Sequence, residues 1–351
     1  MKLSNITYKM ATLFAVLCFG VVTASATVLT TTEYTDPCFH PGEDSYNELV
    51  TAVKEGNEAK VLRLVVDQHV DPLRLDYKGH SLIVHAAMEG HLNIVRILHD
   101  EMINPDENMH QKDVFGDTAL TAAARYGHLN IVMYLVSQQK SVRAQTKVDP
   151  EIQEALYNAI DGASSAALLE PDHYSPETVE HAKDREQRCV AVARYLIDSG
   201  FASVNQGDKE TGNIPLMAAA HSGSLEMVKL LVGNENGFVV GTKVRAPSVN
   251  ERNSKGQTAL MFSADRDHLD ITKYLLGNNL DGQDTRDWNT ADPFIRDVKE
   301  RTALDIAQAS YSFDVANYLR EVMHHNKEVR TEQAIQLLQE GLSNQKHVPA
   351  N

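Results

Sequence analysis

The stretch from Gly79 to Val95, GHSLIVHAAMEGHLNIV, returns from Gly116 to Val132 as GDTALTAAARYGHLNIV, with its glycines, paired alanines and apolar positions in place. A third copy runs from Gly212 to Val228 and a fourth from Gly256 to Leu276. Weaker copies lie at Glu48 to Asn57 and Arg301 to Ala307, and Val192 to Gly200 matches the second half of one more. Self-similarity on this scale excludes an ordinary globular core. Each copy is too small to bury its own apolar face, so the copies must stack and share one continuous core.

Within a copy, the residue types specify two short helices and a tight turn. Ser81, Thr118 and Thr258 stand where a hydroxyl can cap a helix start. Pro215 takes a first helical position, where its missing N–H costs nothing. Paired alanines let that helix approach its neighbours closely, and Gly90, Gly127 and Gly223 suit a left-handed turn before the second helix. Leu129, Val132 and Leu135 form that helix's buried stripe. Aromatic residues are only 6% of the chain, which suits small, closely packed helices.

These segments resemble the ankyrin repeat, a G-x-T-P-L-H-x-A-A-x-x-G-H core followed by an apolar helix. The resemblance covers most of Ser45 to Val322 and implies an all-α solenoid of seven helix-turn-helix units over 45–325. Spacing between repeat glycines is 37 residues from Gly79 to Gly116 and 44 from Gly212 to Gly256. Against a usual period of about 33, the extra residues fall in connecting loops such as Gly233 to Pro247 and Gly277 to Asp297. Asp267 and Tyr311 replace the turn glycine in the last two units. Asp tolerates the left-handed region and Tyr does not, so the last unit is expected to end its first helix differently. Thr331 can then start a helix with Ala334, Ile335, Leu338 and Leu342 on one face, a C-terminal cap within 326–351.

The fourth unit, 149–199, is enlarged. Asp149-Pro150 starts a helix with Ile152, Leu156, Ala159, Ala163 and Ala166 at helical spacing, and Pro171 stops it. Ser175-Pro176 starts a second, running through Cys189 to Asp198 for roughly 35 Å. The expected result is a helical finger with Asp172, His173, Tyr174, Glu177 and His181 at its tip. Their spacing matches no strong metal motif, and a protein contact or a plain insertion also fits.

The first 26 residues carry Lys2 and Lys9, no acid, an apolar run from Met10 to Val22 and Thr23-Ala24-Ser25-Ala26. That pattern is expected of a signal peptide cleaved after Ala26, leaving 27–44 as an extension and a secreted or periplasmic chain without a stable membrane anchor. Net charge of −15 argues against nucleic acid. It suits either a basic protein partner or simple solubility. Cys38 and Cys189 of the mature chain could bridge or remain separate thiols. No nucleophile, zinc-protease or nucleotide-loop motif occurs, and no cofactor is implied. Cys189 reads as a buried structural thiol, and His91 and His128 as backbone-bonding histidines of the repeat. An enzymatic or metal-binding activity on 149–199 is the competing reading.

The resemblance also implies where a partner touches. In ankyrin-like proteins the concave side is built from turn tips and first helices. The matching positions here are Tyr77, Lys78, Met88 and Glu89; Val114, Phe115, Arg125 and Tyr126; Glu210, Thr211, His221 and Ser222; and Ser254, Lys255, Asp265 and Arg266. Phe115, Arg125 and Tyr126 are of interface-enriched types, although Phe115 and Tyr126 could instead cover the gap to the enlarged unit.

Overall fold

A computed structural model describes residues 43–100, 109–139, 149–165, 176–233, 239, 244–277 and 290–325. All of the regular structure in these residues is helical apart from isolated bridge residues at Leu75, Ser81 and Arg245. The signal peptide, Cys38, Ala166, the tip residues 172–174 and the cap around Thr331 lie outside the described residues.

Seven helix pairs follow in order: α1 (Glu43–Lys54) with α2 (Glu58–Leu62), α3 (Leu82–Glu89) with α4 (Leu92–Asp100), and α5 (Ala119–Tyr126) with α6 (Leu129–Gln138). Then come α7 (Pro150–Gly162) with α8 (Pro176–Asp198), α9 (Pro215–Ser222) with α10 (Leu225–Val232), and α11 (Ala259–Asp265) with α12 (Leu269–Leu275). The last pair is α13 (Ala303–Ala309) with α14, residues 313–325.

Helix starts follow local chemistry. The Ser81 hydroxyl accepts from the Val84 amide, and Thr118 with Thr121 forms a reciprocal capping box. Asp149 accepts from the Glu151 and Ile152 amides, and Pro150 and Pro215 open their helices. Thr302 and Asp305 make a second capping box. Thr258 occupies the expected position, but its hydroxyl makes no cap bond.

Five of the described turns between paired helices share one geometry. The residue after the turn donates its amide to a carbonyl five residues back: Asn57 to Ala52, His91 to Ala86, His128 to Ala123, His268 to Ser263 and Ser312 to Ala307. Gly90 sits at φ 84°, Asp267 at 59° and Tyr311 at 60°. The last unit therefore does not end its first helix differently. Its neighbours impose the turn that the other units make, and Tyr311 accepts the left-handed backbone that its side chain disfavours.

First helices α3, α5, α7, α9, α11 and α13 contact one another in succession and form one layer; second helices α4, α6, α8, α10 and α12 form the other. Fully buried alanines at 86, 87, 123, 124, 219, 220 and 307 line the first layer. Among the described glycines the closest neighbour is at Gly162, where a Cβ would meet the Arg125 carbonyl oxygen at 1.9 Å. The enlarged unit is thus locked onto its predecessor. Although α8 has the expected length, Cys189, Val192, Ala193, Leu196 and Ile197 bury its C-terminal half in the common core. Its start, including Glu177 and His181, is exposed. The first helix of this unit ends sooner than expected, giving way to a 3-10 turn at Ala163–Ser165.

Candidate functional site

The turn tips before each first helix are built on an acid or amide three or four residues ahead of the repeat glycine position. Asp76 Oδ1 accepts from the amides of Lys78 and His80, at 2.8 and 2.9 Å. Asp113 accepts from Phe115 and Asp117, Asn253 from Lys255 and Gln257, and Asp297 from Lys299 and Arg301. Asp208 does the same for Glu210 and Thr211 in a turn one residue longer. Sequence reasoning missed these five residues. Their signal is an Asp or Asn recurring at a fixed offset before Gly79, Gly116 and Gly256, which reads as ordinary loop polarity in any single copy.

Successive tips are tied together. The amides of Val114, Ser254 and Val298 donate to the carbonyls of Gly79, Thr211 and Lys255 in the preceding tips. His80 Nδ1 lies 2.7 Å from Asp113 Oδ2, and His85 Nε2 lies 2.8 Å from the buried Asp76. Burial alone would raise the Asp76 carboxyl; the His85 bond and the two turn amides outweigh it and hold the pKa below its ordinary value. Asp208 is lowered against burial by the Thr211 hydroxyl and its turn amides, and Asp297 by its turn amides and the Arg301 guanidinium. His85 is driven down chiefly by burial, against the pull of Asp76.

On this frame sit exposed apolar side chains. Tyr77 is 84% exposed, Phe115 65% and Val114 64%. Phe115 stacks on the His80 ring at 4.7 Å, which fixes its face outward on the second and third tips. It does not cover the gap to the enlarged unit. Lys78 lies over the Tyr77 ring. Met88 is half-buried against the core.

Arg125 and Tyr126 are placed otherwise. Arg125 Nε donates to Asn158 Oδ1 at 2.9 Å, Nη2 donates to the same oxygen, and Asp117 lies 3.5 Å away. The Tyr126 ring is covered by the Arg185 guanidinium at 4.7 Å. Both side chains are therefore engaged with the enlarged unit. Asp265 accepts from the Ser310 hydroxyl at 2.5 Å, and Arg266 Nε donates to His221 Nε2 at 3.0 Å.

The repeat histidines bond to backbone as the resemblance implies: His91 to Lys54 O, His128 to Met88 O and His268 to His221 O. Burial lowers the pKa of His128 and His268. Burial also pushes the Cys189 thiol up to about 11, and it donates to the Arg125 carbonyl at 3.4 Å. A protonated, buried thiol of this kind supplies no thiolate nucleophile. Among the described residues no group of His, Cys, Asp and Glu is arranged to hold a metal ion, and no helix is long and apolar enough to cross a membrane.

A two-layer stack of helix-turn-helix units carrying a ladder of hydrogen-bonded tips defines a solenoid repeat protein. The family model for ankyrin repeats in three copies matches residues 49–147 and 240–331, and the single-repeat model matches 211–239. The chain belongs to the ankyrin-repeat family. The unmatched interval between 147 and 211 contains the enlarged fourth unit, 149–199. No curated protein matches the chain. Similar solved structures include the ankyrin repeat domain of Bcl-3, a member of the IkappaB family. It is 20% identical with a TM-score of 0.47, over 78% of this chain and 97% of that one. Another is the Bdellovibrio bacteriovorus predatory endopeptidase Bd0816 in complex with immunity protein Bd3460. It is 22% identical with a TM-score of 0.35, over 78% and 97% of the two chains.

Proposed function

We propose that this chain is an exported scaffold that binds a partner protein through the tips and first helices of its repeats. The observation that carries the reading is the exposed trio Tyr77, Val114 and Phe115 on a hydrogen-bonded frame. Burying such side chains against a partner recovers roughly 25 cal/mol per Å² of apolar surface, and a frame that is already ordered loses little entropy on binding. Lys78, Met88, His221, Asp265 and Arg266 extend the surface along the stack. Arg125 and Tyr126 act inside it, aligning the enlarged unit, so their substitution would confuse folding with binding. A basic partner is favoured by the net charge of −15. Export rests on the Lys2 to Ala26 pattern, and N-terminal sequencing of the chain from an export-competent host tests it: a start at Thr27 supports it, an intact Met1 opposes it.

The binding reading is tested by crosslinking capture from the native extract with the native chain and a Tyr77→Ala, Phe115→Ala double variant of unchanged circular dichroism. Loss of the captured protein from the variant supports the surface. Equal capture by both places the contact elsewhere.

A further inference from the structure

Between α7, α9 and α11 the first-helix layer opens into a cleft of about 460 Å³. Ile160, Met217 and Phe262 give it apolar walls, while Asp161 and Arg266 stand exposed on its rim. We propose that this cleft receives an acidic side chain of a partner protein, carried next to an apolar one, with Arg266 clamping the carboxylate. The proposal rests on the protein-binding reading above and names the chemistry of what is bound.

Arg266 is held by an unusual partner. Its Nε donates to His221 Nε2, so that nitrogen must be unprotonated and the imidazole neutral. Burial lowers the His221 pKa, and the guanidinium beside it lowers it further. The ring is steadied by Phe262, set edge-on at 5.9 Å. A guanidinium anchored by a neutral group keeps its whole positive charge. Asp265 accepts from the Ser310 hydroxyl and Asp161 lies 3.9 Å from Arg125, and neither pairs with Arg266 among the described residues. Both Nη groups of Arg266 make no hydrogen bond among the described residues. What remains is an oriented fork with two donors at the mouth of an apolar cleft, the geometry that a carboxylate accepts in two parallel bonds.

The same surroundings narrow the occupant. Apolar walls call for a hydrophobic side chain adjoining the acid.

The test is selection of phage-displayed random dodecapeptides on the full chain. Peptides with Asp or Glu beside an aromatic or aliphatic residue are expected, and replacing that acid by its amide should weaken binding at least about tenfold. Arg266→Gln should weaken it as much, and Arg266→Lys should not restore it, because an ammonium lacks the fork. Ala218→Trp, which fills the cleft, should remove binding while thermal unfolding stays cooperative. Failure to select any peptide, enriched peptides lacking an acid, phosphopeptide-only binding, or full binding by Arg266→Gln would each overturn the proposal. Capture of a natural partner that is lost with Tyr77→Ala, Phe115→Ala and kept in full by Arg266→Gln would leave the scaffold reading standing and remove the clamp. Insensitivity to both variants would remove both.

Discussion

Gly162→Ala separates two opposite expectations. Gly162 is the last residue of α7, and helix propensity alone makes alanine better there by roughly 0.5–1 kcal/mol. Packing says the reverse. A Cβ at Gly162 would lie 1.9 Å from the Arg125 carbonyl oxygen and 2.7 Å from its carbon, and both are backbone atoms. No rotamer change relieves that collision; α5 and α7 must separate by more than about an ångström. The same carbonyl accepts from Cys189 Sγ at 3.4 Å and from Arg185 Nη2 at 3.3 Å, so the movement also strains the contact with α8. Overpacking of this kind costs about 1–3 kcal/mol, and the lost bonds add to it. Net destabilisation of about 1–3 kcal/mol is expected after the propensity gain. Urea unfolding followed by circular dichroism measures it. Gly116→Ala is the control, since no atom lies within 4 Å of its added Cβ and only its φ of 86° is strained. That change should cost about 1 kcal/mol. A Gly162→Ala protein as stable as the native chain, or more so, would refute the packing account of how the enlarged unit is joined.

Tyr311→Gly should raise stability by about 0.5–1 kcal/mol, because relief of the left-handed backbone exceeds the added freedom of the unfolded chain; a lower Tm would count against strain at this turn. Asp297→Ala should cost about 2–3 kcal/mol by orphaning two turn amides and the Arg301 guanidinium, with Asp297→Asn milder; equal losses would show that the carboxylate charge, not the turn, matters. Burial lowers the pKa of His85, His128, His221 and His268 in the folded chain, so below the ordinary value of 6.5 the unfolded chain binds more protons. Their contribution is whole above that value and is lost as pH falls through it, so Tm should be lower at about pH 5.5 than at about pH 7.5. A flat or inverted profile would contradict it. Asp76, Asp208 and Asp297 keep their contribution until pH drops below the ordinary carboxylate value of 3.8, giving a second loss in acid.

Features set by short-range chemistry were legible in the sequence. Ser81, Thr118 and Pro215 marked helix starts, and Gly90, Gly127 and Gly223 marked turns, because caps and left-handed residues act within a few positions. Tyr311 was misread because a single-residue preference of about 1–2 kcal/mol yields to a stack that fixes both helices around it. The Arg125–Asn158 pairing spans 33 residues and two units, so nothing local announced that this arginine was engaged. The tip acids were hidden for a different reason: their meaning appears only when copies are aligned and the Asp or Asn is seen to recur. The cleft beside Arg266 needed three first helices brought together, and no single repeat encodes it.

The most direct test of the central claim is photo-crosslinking from single benzoylphenylalanine residues placed in the full chain at Phe115 or at Met133. Phe115 stands on a turn tip, whereas Met133 is exposed on α6 in the second-helix layer. Crosslinks to one discrete protein from position 115 and none from position 133 are expected. Crosslinks from position 133 alone, or from neither position, would contradict binding through the tips and first helices.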